Sequence, residues 1–154
     1  MELQAIFDHC LQAFDGTILA KNWGESGIFY NPGNVLTKGV YMLTVKEKDG
    51  ENDSASHINR AGVYRLNIGI RKSTFTQMFG HIPKRPAAGC VVDMNYDFTA
   101  LDTIMPHPVY GWMGWICVLS PSAQTFEALK PLMHESYAFA QEKFRKRKRP
   151  GSMQ

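Results

Sequence analysis

The run "WMGWICVL", Trp112 to Leu119, constrains the fold of this chain more than any other stretch. In an extended strand, Met113, Trp115, Cys117 and Leu119 point one way, and Trp112, Gly114, Ile116 and Val118 the other. Both sets are mainly apolar, so the strand has to be covered on both faces. The expectation is a central strand, with the C-terminal helix on one face and a second apolar layer on the other. Trp115 then belongs to the core, where Trp115→Ala would cost about 3–5 kcal/mol. Gly114 leaves a gap where a backbone or a ligand can approach.

The other periodicities supply what must surround that strand. Leu3, Ile6, Phe7, Cys10, Leu11 and Phe14 form the stripe of an amphipathic helix, closed by Asp15-Gly16. "TILAKNWGESGIFYNPG" reads as two short strands around a Gly-rich turn, and "GVYMLTVKEKD" as a third. "KDGENDSASHINRAG" is a polar loop with little to bury. "GVYRLNIGI" alternates, with Tyr64, Leu66, Ile68 and Ile70 on one face and Arg65 and Asn67 on the other. "RKSTFTQMFG" is a short helix, and "HIPKRPAAG" and "DFTALDTIMPHP" are loop or irregular. In the last helix Phe126, Leu129, Met133, Tyr137, Ala140 and Phe144 recur at helical spacing, with Pro131 expected to kink or split it. Strands in the middle and helices at the ends predict an α+β fold: a single domain over residues 1–144, a mainly antiparallel sheet with N- and C-terminal helices packed on it, and a basic, frayed tail over 145–154.

Composition limits the functional classes. With 44 % apolar and 20 % charged residues, the chain has the make-up of a globular domain. No apolar run approaches the roughly 18–20 residues of a membrane span, so no membrane partner is expected. The N-terminus lacks the basic region of a signal peptide. Cys10, Cys90 and Cys117 are odd in number and lack metal-ligand spacing, which points to a reducing, cytoplasmic setting and no metal site. Six of the seventeen Lys and Arg residues fall in one run, namely Lys143, Arg145, Lys146, Arg147, Lys148 and Arg149. Eleven bases then face fourteen acids elsewhere, so the body is acidic. Only this run offers nucleic acid a positive surface.

Two places have the residues for chemistry. His107 lies between Pro106 and Pro108, whose rings favour a rigid extended segment, next to Tyr110 and Trp112. It either orients a ligand or fixes its loop with one hydrogen bond. Arg65 and Asn67 cannot be buried unpaired without a cost of about 1–3 kcal/mol, so water, a ligand or another segment must cover them. Arg60, Arg65 and His107 together suit a carboxylate or phosphate. The plainer alternative is salt bridges to Asp93, Asp97 or Asp102. G-x-S-x-G, H-E-x-x-H, P-loop and G-x-G-x-x-G patterns are all missing, and no cofactor is implied. Cys117 reads as an inert core residue, and no catalytic residue is assigned.

The segments "HINRAGVYRLNIGIRKSTFTQMFG" and "DTIMPHPVYGWMGWICVLSPSAQTFEALKPLMHESYAFAQEKF" resemble an uncharacterised bacterial domain-of-unknown-function family over nearly the whole chain, "PHPVYGWMGW" being the most specific part. More distantly, "YRLNIGIRKSTFTQMF", Trp112 or Trp115, and Ser136-Tyr137 resemble the MmcQ/YjbR-like family. That resemblance implies a small α+β fold likened to a double-winged DNA-binding shape, and fold does not by itself carry function.

The leading expectation is a non-enzymatic binding domain for a small anionic ligand or a protein segment, sited around Arg65, Asn67, His107, Tyr110, Trp112 and Arg60. One alternative is nucleic-acid binding through Lys143, Arg145, Lys146, Arg147, Lys148 and Arg149. The other is an enzyme using His107 as acid or base, oriented by Asp102.

Overall fold

The computed structural model describes residues 1–22 and 24–148. Helix α1 (Leu3–Ala13) buries Ile6, Phe7 and Cys10 and ends where the Phe14 N–H returns to the Cys10 carbonyl. Strands β1 (Thr17–Asn22), β2 (Glu25–Tyr30) and β3 (Val40–Lys46) follow as a meander. Between β2 and β3 the Asn31 side chain grips Leu36 through both its N–H and its carbonyl, which closes the "NPG" turn. Then come β4 (Arg65–Gly69), α2 (Lys72–Phe79), β5 (Met105–Pro106), β6 (Trp115–Leu119) and α3 (Ala123–Lys148). The six strands form one sheet in the order β1-β2-β3-β4-β6-β5, and every neighbouring pair is antiparallel. The architecture is α+β with a helix at each end of the chain, as the periodicities predict.

The sheet has two unlike faces. Cross-strand partners share a face, so Ile28, Leu43, Ile68 and Ile116 stand in one row, with Val45, Leu66 and Val118 beside them. These pack with Ile6, Phe7 and Phe14 of the N-terminal segment and with Phe126, Leu129, Met133, Ala140 and Phe144 of α3 in the main core. A β-bulge interrupts the β2–β3 register at Ile28/Phe29, and there the buried Ser136 hydroxyl of α3 donates to the Met42 carbonyl at 2.8 Å. On the opposite face, Glu25, Lys46, Arg65 and Leu119 align, and next to them Gly27, Thr44, Asn67 and Cys117. Among the described residues, no α-helix covers this second face. Loop residues do, and Val92, Phe98, Met105, Cys117 and Leu119 form a smaller core of their own.

Four expectations need correction. The last strand starts at Trp115, because Gly111–Met113 is a single 3-10 turn and Gly114 is left-handed at φ +90°. A Cβ at Gly114 would come within 3.0 Å of the Ile70 carbonyl, so Trp112 and Met113 fall outside the strand alternation. Nor is β6 central: only the two residues of β5 and a bridge from Leu101 lie beyond it. Pro131 does not split α3, because it faces solvent one turn after the exposed Glu127, whose carbonyl water can reach. Finally, the polar loop after β3 does bury residues, since Ser56 and Ile58 have almost no exposed surface and Ser56 meets Arg65 on the second face. Helix α3 continues past Phe144 through Arg145, Lys146 and Arg147 to Lys148. Among the described residues, no helix is long and apolar enough to cross a membrane.

Candidate functional site

Among the described residues, Arg65 is the largest fully buried side chain, with no exposed surface, and it lies under the loop between β3 and β4. The alternation of β4 aims it at the second face, and the loop brings acceptors to meet it. Asp53 grips the guanidinium with both oxygens, at 2.9 Å from Nη1 and 2.5 Å from Nη2. Ser56 Oγ accepts from Nη1 at 2.9 Å and Asn67 Oδ1 from Nε at 2.8 Å. Asn67 in turn donates to Thr44 Oγ1 at 3.0 Å. The loop itself is pinned by Asp49, whose carboxylate accepts the Ile58 N–H, and by Asn59, whose side chain accepts the Asp49 N–H. Burial works against the arginine's charge, but the hydrogen bonds and charge of Asp53 outweigh it and raise its pKa.

The fifth N–H of Arg65 points at His107. That residue is 2 % exposed, so the structure buries what the sequence reading placed on a surface loop. The "PHPVYG" turn folds around the ring. The His107 N–H donates to the Trp115 carbonyl, and its own carbonyl accepts from Gly111. Nδ1 accepts two backbone N–H groups, those of Val109 and Tyr110, each at 3.0 Å. Burial, then the charges of Arg65 and Lys46, holds the imidazole pKa well below its usual value, so the ring is neutral. A neutral imidazole carries one proton, and with Nδ1 occupied as an acceptor, that proton belongs on Nε2. Nε2 lies 3.2 Å from Arg65 Nη2, so two donors confront each other. Nε2 has no other partner among the described residues.

His107 also forms part of the wall of a cavity of about 230 Å³, with Glu25 and Thr44 as its other polar lining and Tyr41, Tyr110, Met113 and Trp115 around them. The ring of Tyr110 leans over the imidazole at 5.1 Å and is 47 % exposed. Trp115 is half-buried, which corrects its assignment to the core. Its indole lies across Gly69, where an added Cβ would meet the ring at 2.9 Å, so only glycine lets the indole lie down there. Burial raises the pKa of the Glu25 carboxyl, against the opposing pull of Lys46 and Arg65.

The structure brings Arg65, Asn67, His107 and Tyr110 together. Trp112 does not join them. It lies under the Arg85 guanidinium at 4.9 Å, beside a different cavity that Tyr110 also lines. Arg60 is held by the carbonyls of Ser56, His57 and Thr99 and bonds to neither Arg65 nor His107. The carboxylate that meets Arg65 is Asp53 instead of Asp93, Asp97 or Asp102. Asp102 accepts the Ser122 N–H at 2.7 Å, just before α3, which takes it away from His107. Asp53, Ser56, Thr44, Glu25 and Tyr41 were not singled out. The signal for Asp53 was the need itself, since an arginine aimed at a covered face requires a carboxylate within reach. Of the basic run, Lys143 lies over Phe139, Arg147 donates to the Gly39 carbonyl at 3.3 Å, and Arg145 and Lys146 are exposed. Arg149 and the rest of the tail lie outside the described residues. Cys117 is buried, with its thiol pushed up to about 12. Among the described residues, no group of three or more His, Cys, Asp or Glu side chains is placed to hold a metal ion.

Residues 1–149 match the model of a family described as a family of unknown function (DUF6194). No curated protein and no solved structure matches the chain.

Proposed function

The chain belongs to the DUF6194 family, whose function is unknown, and on that premise we propose that it is a non-enzymatic binding domain for a small, flat molecule held in the His107 cavity. One observation carries the reading: two backbone N–H groups occupy Nδ1 of His107, which assigns the ring proton to Nε2, and Nε2 faces only Arg65 Nη2, a donor, at 3.2 Å among the described residues. An unsatisfied buried donor costs about 1–3 kcal/mol, and a ligand oxygen that reaches Nε2–H from the cavity would recover it. The aromatic rim of Tyr41, Tyr110 and Trp115 supplies flat surfaces for a ring, and the cavity's about 230 Å³ suits a small one. Asp53 already balances the charge of Arg65, so this acceptor can be an uncharged carbonyl.

The geometry gives less to the other two readings. A general base needs a pKa near the working pH, and His107 is depressed, with Nδ1 already engaged. Nucleic-acid binding would rest on Arg145 and Lys146 with the undescribed tail. A cytoplasmic setting fits three cysteines that are all free, and kinship with the MmcQ/YjbR-like family remains part of the same proposal.

A screen of aryl amides, aryl carboxylates and nucleosides, read by tryptophan fluorescence and by NMR shifts, tests the site. Binders should weaken at least about tenfold in His107→Phe, which removes the donor, and stay unchanged in Trp112→Phe. Affinities that survive both His107→Phe and Trp115→Ala, in variants that keep a native near-UV circular dichroism spectrum, would sink the assignment.

A further inference from the structure

The polar lining of the His107 cavity follows from a chain of hydrogen bonds that starts at Arg65. Arg65 Nε donates to Asn67 Oδ1, which leaves the amide nitrogen of Asn67 to donate to Thr44 Oγ1 at 3.0 Å. Thr44 is therefore the acceptor in that bond, and its own hydroxyl proton has to go elsewhere. Thr44 is 8 % exposed, and among the described residues its hydroxyl donates to nothing. Thr44 lines the cavity, so the cavity is where that proton can find an acceptor. His107, with Nδ1 filled by two backbone N–H groups, lines the same space with a ring whose proton is on Nε2.

Glu25 supplies the complement to these two donors. It shares a cross-strand row with Lys46 and Arg65, which sets it on the same face of the sheet as Arg65, and it lines the cavity. A carboxyl group has about four lone-pair sites, so its power to accept from a ligand does not depend on its other contacts or on its protonation state. The rest of the wall is flat or soft, from Tyr41, Tyr110, Trp115 and Met113. Phe29 packs against the Tyr41 ring at 4.4 Å and so backs that part of the wall. At about 230 Å³ the cavity is smaller than the about 300–1,000 Å³ of drug-sized sites, which suits a single ring.

We infer that the ligand is a cyclic amide, a flat ring with a carbonyl beside an N–H. Its carbonyl oxygen accepts from Thr44 and His107, and its N–H donates to Glu25. The inference rests on the preceding proposal for the cavity and adds the hydrogen-bond pattern that selects the occupant. A cyclic ester of the same shape would set its ring oxygen against the Glu25 carboxyl, acceptor against acceptor. A site that hydrogen-bonds an N–H rejects such an analogue far more strongly than a pocket rejects a missing methylene.

The test uses the full chain and two rings of one shape, α-pyridone with its N–H and α-pyrone with oxygen in that place, titrated by NMR and calorimetry. α-Pyridone should bind at least about tenfold tighter, as the loss of a hydrogen bond to a charged group implies. In Glu25→Gln, whose amide can donate as well as accept, the gap should largely close because α-pyrone gains a donor. An unchanged melting curve checks the fold of the variant. Equal binding of the two rings by the wild type overturns the inference and leaves the cavity reading standing. A gap that persists undiminished in Glu25→Gln also overturns it, because the N–H is then recognised elsewhere. If neither ring binds at millimolar concentration the inference falls, while the cavity reading keeps its separate test in the screen of aryl amides, aryl carboxylates and nucleosides.

Discussion

Asp53 shows how much a single residue can depend on one other. Among the described residues, its carboxylate is the one that pairs with a guanidinium with no exposed surface. Removing one member of a buried pair leaves the other charge uncompensated, so Asp53→Ala should cost about 3–5 kcal/mol, measured by urea denaturation. His107 makes a second prediction, through pH. Its folded pKa is depressed, so its contribution to stability is intact above the unfolded value of about 6.5 and is lost as pH falls below it. Wild type should therefore lose stability between pH 7 and 5 faster than His107→Gln. His9, also depressed, is present in both proteins and cancels in the difference. Equal pH slopes would mean that the ring titrates in the fold as it does in the unfolded chain, and so is not held neutral by its burial. The alternation of β4 put Arg65 and Asn67 on one face and so was readable in the sequence. What covers that face was not, because the loop carrying Asp53 and Ser56 has a solvated loop's composition and only its hydrogen bonds reveal the burial. His107 and Trp115 exchanged roles for the same reason: their types are legible, but the depth of the "PHPVYG" turn depends on backbone bonds to Nδ1.

Among the elements, α3 is the one whose sequence and structure are most at odds. Pro131 sits in its interior and stays in helix, on the solvent side. Proline is about 3 kcal/mol less favourable than alanine in a helix interior, so Pro131→Ala should raise stability, by up to that amount, in a thermal melt. A loss would mean that the residue sets a bend needed for packing on β3. The apolar stripe of α3 was read correctly because a helix packed along one side keeps its period whatever a proline does on the other. The start of β6 was misread because an apolar run does not disclose its own first residue. Gly114, which makes the turn, served in the strand reading as a mere gap.

Taken as a whole, the molecule is a sheet protected unequally. Helices with a continuous apolar core shield one face, and loops tied by side-chain hydrogen bonds shield the other. Local opening should therefore occur on the loop side first, with amides of residues 49–60 exchanging faster than those of α1 and β3 in native-state hydrogen exchange. Protection of that loop equal to the main core would contradict this. The order of the strands also imposes an order in time. β1, β2 and β3 are successive hairpin neighbours, whereas β6 pairs with β4 only after the chain has travelled from Gly69 to Trp115. Closing so long an excursion is slow, so the meander should assemble early and β6 should dock late, bringing with it the turn that holds His107. Until then Arg65 has Asp53, only twelve residues upstream, as a companion from its own half of the chain. A guanidinium destined for the interior thus never waits alone for its carboxylate, and the binding cavity is the last feature a newly made chain completes.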